Sequence, residues 1–233
     1  MPDLLDPPAA VLSPPVPLPP PLPAAAAAGR VSLAEFHRRR DAGEFPNDGA
    51  RTELLDGVLR QKPVPKPLHS GSVGLIEARV RSALPDGWMT RNQDSVSLGE
   101  SEPLPDLLVV PGEPADWFTR HPGPADLAVL IEVSDTTLAL DRGRKLRIYA
   151  AAGVSPYWIV NLVHRRVEVY DEPTPGDGTA EDPPDYRRRD YSPGESVTIR
   201  CGDVPVTIPV DDLLPPARPE PEPFRPPREE RDA

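Results

Sequence analysis

Cysteine occurs once, at Cys201, which rules out an internal disulfide and any zinc site built from thiolates. The chain therefore reads as intracellular and cytoplasmic, with Cys201 an idle residue near a strand. No stretch approaches 18 uninterrupted apolar residues, so no membrane span is expected. The first residues carry Asp3 and Asp6, no early lysine or arginine, and prolines through every apolar patch, a pattern that predicts no secretory leader. Aromatics make up only 5% of the chain, too few for a core running from end to end. Glycine-rich phosphate loops and Ser/His/Asp arrangements are also lacking, because Gly71-Ser72-Val73-Gly74 has neither the lysine nor the spacing of a P-loop.

Proline is what the chain has in excess. It supplies 36 of 233 residues, about three times the usual ~5%, and it is clustered: ten prolines lie in residues 1–23 and seven in 215–233. Proline fixes φ and has no N–H, so residues 1–29 are expected to be polyproline II or disordered, and 215–233 a second disordered tail. One domain over 30–214 remains. The charge divides in the same way. The total is −11, but residues 30–171 carry only −2, so bulk acidity does not decide whether the partner is a polyanion.

Within that domain, Ser32 is a helix N-cap with Glu35 at the capping-box position, which predicts a helix over Leu33–Asp41. Asp56-Gly57 between two short apolar runs predicts a hairpin within 51–62. A helix is expected over His69–Leu84 with Val73, Ile76 and Val80 inward. Strands are expected over 88–98, 105–111 and 127–134, then a helix over Leu138–Ala152, a strand pair over 156–162 and 165–170, a polar excursion over 172–185, and a last pair near 196–201 and 204–208. The fold class is α/β, with a mixed sheet flanked by helices. Tyr157 and Trp158 are read as core, and His37, His121 and His164 show no ligand spacing.

Asp106 and Glu132 each place a carboxylate inside an otherwise aliphatic strand. Burying an unpaired carboxylate costs several kcal/mol, so such a residue is paired, sits at a strand end, or binds metal. On neighbouring strands the two can converge on one hard cation, and oxygen-only ligands suit Mg²⁺ or Mn²⁺. The alternative is that each caps a strand or pairs with an arginine. In the helix that follows, Asp141, Lys145 and Tyr149 fall at i, i+4 and i+8 and share a face, with Ala139, Gly143, Leu146 and Ala150 as the packing face opposite. A lysine directed back at the strand would stabilise a phosphoryl oxyanion; alone, Asp141–Lys145 reads as an ordinary surface pair.

Taken in order, Glu53-Leu-Leu-Asp-Gly57, Pro67-Leu-His69-Ser70, Pro105-Asp106, Ile131-Glu132-Val133-Ser134, Asp141…Lys145…Tyr149 and Gly153-Val-Ser-Pro-Tyr-Trp-Ile-Val160 resemble the Uma2 family, a branch of the PD-(D/E)XK restriction-endonuclease-like superfamily. The resemblance covers about 30–171 and continues more loosely to about 214. It implies a metal-dependent phosphodiesterase core acting on DNA. Asp106 and Glu132 would be the metal ligands, helped by the Val133 carbonyl, and Lys145 would be catalytic. Glu53 matches the family's N-terminal acidic position; on its own it also reads as a hairpin residue paired with an arginine. His69 sits where the family has a histidine before the helix, where it also reads as a helix-terminal residue. Ser134, Asp141 and Tyr149 would support the site.

One position departs from the superfamily signature E-x-K: two residues after Glu132 stands Ser134, and the lysine comes later, as Lys145. Arg142, Arg144 and Arg147 form a basic cluster expected to contact DNA phosphates. A homodimer is compatible with this reading. The alternative is a catalytically silent binding or scaffold protein on the same fold, which Ser134 and the acidic total favour.

Overall fold

The computed structural model describes residues 29–46, 51–177 and 179–217. The expectations for the two proline-rich ends lie, except for residues 29 and 215–217, outside the described residues. The chain opens with α1 (Leu33–Asp41), where the Ser32 hydroxyl accepts the Glu35 N–H at 3.2 Å. A hairpin of β1 (Thr52–Leu55) and β2 (Val58–Gln61) follows. Its turn residues Asp56 and Gly57 both have positive φ (46° and 72°), the conformation a two-residue type I′ turn requires and the reason Asp-Gly occupies it.

Next come α2 (Pro67–Ala83), with proline at its first position, then β3 (Trp88–Asn92), β4 (Leu107–Pro111) and β5 (Val129–Ser134). The following helix is wound in three pieces: α3 (Leu138–Leu140), a π-wound segment (Asp141–Lys145) and α4 (Leu146–Ala151). The chain ends with β6 (Tyr157–Asn161), β7 (Arg166–Thr174), β8 (Asp185–Tyr191), the hairpin β9 (Ser196–Cys201) and β10 (Val204–Pro209), and α5 (Val210–Leu213).

Strands β3-β4-β5-β6-β7-β8 form one six-stranded mixed sheet, antiparallel except for the β5–β6 pair. Alternation divides its side chains between two cores. Leu107, Val109, Ile131 and Val133 pack with Val73, Ile76 and Val80 of α2 and with the β9–β10 hairpin. Leu108, Val110, Leu130 and Ile159 pack on the other face with Leu146, Ile148 and Tyr149 of α4. A small third cluster, Phe36, Phe45 and Leu54, seats α1 on the first hairpin. Tyr157 and Trp158 are fully buried, and so is Cys201. No described helix is long and apolar enough to cross a membrane.

Four local expectations change. The strand expected over 88–98 stops at Asn92, and those expected from 105 and 127 start at Leu107 and Val129. The excursion over 172–185 is shorter than expected, because β7 runs on to Thr174 and pairs with β8. β8 carries Arg187, Arg188 and Arg189 on an exposed sheet edge, so it lacks the apolar alternation that marks a half-buried strand. Finally, the helix is buried on more than the face read as packing. Leu146 and Ala150 are buried as expected, but Ala139 is exposed and Gly143 only half-buried, while Asp141, Lys145 and Tyr149 are buried as well. Burial there follows partners rather than hydrophobicity, since carboxylates and hydroxyls wait beneath the helix.

Candidate active site

Parity positions the two central carboxylates. Asp106 alternates with Leu107 and shares the face of Leu108, and Glu132 shares the face of Leu130, so both point to the α4 side of the sheet. The antiparallel register pairs Leu107 with Ile131, which makes Asp106 and Glu132 the next cross-strand neighbours. β4 begins just beyond Asp106, so Val133 has no strand partner on that side. Its N–H goes instead to Asp106 Oδ2 at 2.9 Å, and its carbonyl leaves the strand on the same edge.

Each carboxylate meets a cation. Lys62 Nζ donates to Asp106 Oδ1 at 3.0 Å and to the Leu104 carbonyl at 2.7 Å. His69 Nε2 stands 3.2 Å from Asp106 Oδ2 and acts as donor, since an ionised carboxylate can only accept. His69 Nδ1 is buried without a partner among the described residues. Burial alone would raise the Asp106 pKa, but the His69 hydrogen bond and the Lys62 charge reverse this and hold it well below the ordinary carboxylate range. In turn Asp106 raises the His69 pKa.

Lys145 reaches down from the π-wound segment to Glu132 Oε1 at 2.6 Å, and the Tyr149 hydroxyl donates to the same oxygen at 2.8 Å. Lys145 Nζ also lies 3.5 Å from Glu53 Oε2. Burial pushes Glu132 up to about 7, with Lys145 opposing. Burial would lower Lys145, but Glu132, Glu53 and Asp141 more than reverse that, so it stays protonated. Glu53, fully buried on β1, also pairs with its cross-strand partner Arg60 at 3.0 Å and accepts the Leu104 N–H at 3.2 Å. Burial would raise its pKa; Lys145, Lys62, the Leu104 N–H and Arg60 lower it.

Ser134 does not face an open site. Its hydroxyl donates to Asp141 Oδ2 at 2.6 Å, as does that of Thr137, also at 2.6 Å. The residue at the usual lysine position thus anchors the helix segment that brings Lys145 in.

Asp106, Glu132, Lys145, His69, Asp141, Lys62, Arg51, Arg60 and Lys66 line one cleft of about 100 Å³. Among the described residues no three His, Cys, Asp or Glu side chains are grouped to hold a metal by themselves. Of the expected ligands, Asp106 and Glu132 line the cleft and Val133 does not. The two carboxylates on adjacent strands are hard oxygens and fit a cation such as Mg²⁺, which takes one or two carboxylates and keeps several waters.

The basic cluster is largely spent on internal structure. Arg142 holds Glu168 with both Nε (2.8 Å) and Nη2 (2.5 Å), and Arg144 donates to the Leu55 carbonyl at 2.8 Å and lies 3.6 Å from Asp56. Arg147 is exposed, two residues from Lys145 and so on the opposite side of the helix. None of the three lines the cleft. Cations that do line it were missed from sequence. Lys62 and Lys66 flank prolines, and Arg51 spends its guanidinium on the carbonyls of Lys62 and Pro63. The only sequence signal was the basic residues bracketing Pro63-Val-Pro-Lys-Pro67. The buried Glu168 network with Arg142, Asn161 and Tyr170 was missed as well, although Glu168, like Glu132, is a carboxylate within an apolar strand.

Of the solved structures, a protein from Anabaena variabilis ATCC 29413 described as "a putative nuclease belonging to DUF820" matches with a TM-score of 0.55 and 17% identity, covering 78% of this chain and 97% of that one. At that identity the likeness speaks for the fold. No curated protein matches the chain. The family model for Uma2, described as "Putative restriction endonuclease", matches residues 33–207. With three-quarters of its length matched, including every residue of the cleft, the chain belongs to the Uma2 family.

Proposed function

We propose that the chain is a metal-dependent endonuclease that hydrolyses phosphodiester bonds of DNA in this cleft, with Mg²⁺ or Mn²⁺ held by Asp106, Glu132 and the Val133 carbonyl. The observation that carries the reading is the pairing of cross-strand carboxylates with a buried, permanently charged Lys145 on one of them. A bound cation of this type supplies Lewis acidity at the phosphoryl group and lowers the pKa of a water.

The protein's own residues divide the remaining work. Lys145 is fixed as a cation and so is no general base; it contributes a desolvated positive charge where a phosphoryl oxyanion develops. Glu53 and Tyr149 hold Lys145 and Glu132 in register. His69 and the Val133 N–H orient Asp106. At the cleft Lys66 is exposed and has no carboxylate partner among the described residues, which makes it better suited to a backbone phosphate than Arg142 or Arg144, and Arg51, bonded to backbone carbonyls, adds uncompensated positive charge beside it.

The test is cleavage of plasmid and single-stranded DNA with Mg²⁺ or Mn²⁺, comparing wild type with Glu132→Gln. Cleavage by wild type that falls by about 10²-fold or more in the variant supports the reading. Equal cleavage by both contradicts it. The silent-scaffold alternative is favoured by Ser134, which serves the helix rather than the cleft, and absence of cleavage on every substrate would select it.

A further inference from the structure

The carboxylates under the cleft already have partners. Asp106 holds Lys62 at 3.0 Å and His69 at 3.2 Å, Glu132 holds Lys145 at 2.6 Å, and Asp141 takes the hydroxyls of Ser134 and Thr137. A divalent cation that joins Asp106 meets the Lys62 ammonium on the same carboxylate, and two like charges that close repel unless one departs. The resident cations are not equally placed to go. Lys145 is buried, its side chain 2% exposed and bonded to Glu132, and Arg60, although 33% exposed, pairs with Glu53 rather than with Asp106 or Glu132. Lys62 sits on Asp106 itself: its side chain is 16% exposed, it follows the last residue of β2, and its ammonium is a compact charge on a flexible stem at the start of the Pro63–Pro67 run.

The seat of that ammonium is also made of the right atoms. It lies between the Leu104 carbonyl and Asp106 Oδ1, two oxygens of the kind a hard cation takes. We propose that Lys62 is an exchangeable internal counter-ion of Asp106: it occupies the carboxylate in the metal-free protein, is displaced by the divalent cation, and then presents its charge at the cleft mouth to the incoming phosphate. The inference rests on the proposed metal site at Asp106. In this scheme Lys62 keeps Asp106 ionised and folded without metal, at the expense of cation affinity.

The experiment is calorimetric titration of Mn²⁺ into the full chain as wild type, Lys62→Gln, Lys62→Arg and Asp106→Asn. Glutamine can still donate to the Leu104 carbonyl but carries no charge to compete; arginine keeps the charge. The expected result is Mn²⁺ affinity on the order of tenfold tighter in Lys62→Gln, no gain in Lys62→Arg, and loss of binding in Asp106→Asn. Thermal unfolding gives a second readout. Lys62→Gln should unfold at a lower temperature than wild type without metal and gain more from added Mn²⁺, and if the variant needs Mn²⁺ to fold, the gain alone is read. Equal or weaker affinity in Lys62→Gln, or an equal or smaller thermal gain, with binding still lost in Asp106→Asn, overturns the role of Lys62 and leaves the metal site standing. Absence of any Asp106-dependent binding in both wild type and Lys62→Gln overturns both.

Discussion

Lys145 Nζ stands 2.6 Å from Glu132 Oε1, although the two residues come from a π-wound helix segment and the middle of a sheet. In the E-x-K signature the lysine follows the glutamate on the same strand. Here that strand position holds Ser134, whose hydroxyl ties down Asp141 at the start of the π-wound segment. The lysine on Glu132 comes from another element, and the serine at the strand position helps hold the segment that carries it. π-wound turns of this kind are rare and concentrate at functional sites.

Replacing Lys145 with methionine keeps the side-chain bulk and leaves Glu132 and Glu53 buried without their shared cation. Removing one partner of a buried pair costs about 3–5 kcal/mol, so Lys145→Met should unfold at much lower denaturant than wild type. Urea denaturation followed by far-UV circular dichroism measures this. A loss below about 1 kcal/mol, the size of an exposed pair, would show that the pair is not buried in solution.

Ser134→Ala removes one of the two hydroxyls that donate to Asp141 Oδ2 and should cost about 1–2 kcal/mol. The loosening should be local. Amide hydrogen exchange over residues 138–145 is expected to quicken, with the β6–β7 ladder unchanged. Uniform quickening across the sheet would contradict an anchoring role confined to the helix.

Glu168 gives the pH dependence. Burial would raise its pKa, but hydrogen bonds from Arg142, Asn161 and Tyr170 pull it from 4.5 down to about 2. A carboxyl with a depressed folded pKa contributes stability that is fully present above its unfolded value and lost as pH falls through the folded one. The window is therefore pH 4.5 to about 2, and the contribution is roughly 3 kcal/mol. Glu168→Gln should be less stable than wild type at pH 7 and should show a flatter stability curve across that window. Equal slopes for the two proteins would contradict the assignment.

How far the sequence foretold all this depends on what each residue's neighbours are. Asp106 and Glu132 stood out because an ionisable group within an aliphatic strand is costly wherever it occurs, and the structure brings both, with Lys145, to one cleft. The Uma2 resemblance and the mixed α/β fold were legible from ordered motifs and alternating runs. Lys62 was not, because its partner Asp106 lies 44 positions away and no local periodicity links a hairpin end to a strand start. The burial of the polar helix face was missed for a related reason. Periodicity groups Asp141, Lys145 and Tyr149 but does not say which way the group faces, and polarity misleads when polar partners lie beneath. β8 escaped because an exposed arginine-rich edge carries no apolar signal.

The basic residues can be sorted by salt. In an Asp106→Asn background, chosen because the proposed site would then not cleave, Arg51→Ala and Lys66→Ala should each weaken DNA binding and reduce the slope of log affinity against log salt by about 1. Arg142→Ala should instead lower stability by stripping Glu168 of its bidentate partner. Fluorescence anisotropy over a potassium chloride series separates the two classes. An unchanged slope for Arg51→Ala and Lys66→Ala would remove the cleft mouth from the DNA interface.

The central claim is that Asp106 and Glu132 serve one cation, and anomalous diffraction from a Mn²⁺-soaked crystal addresses it most directly. The account predicts a single strong manganese peak in the cleft within coordination distance, about 2–2.5 Å, of an oxygen from each carboxylate, with Lys62 turned away from Asp106. A cleft without a peak at saturating Mn²⁺, or manganese bound elsewhere with Lys62 still on Asp106, would contradict it.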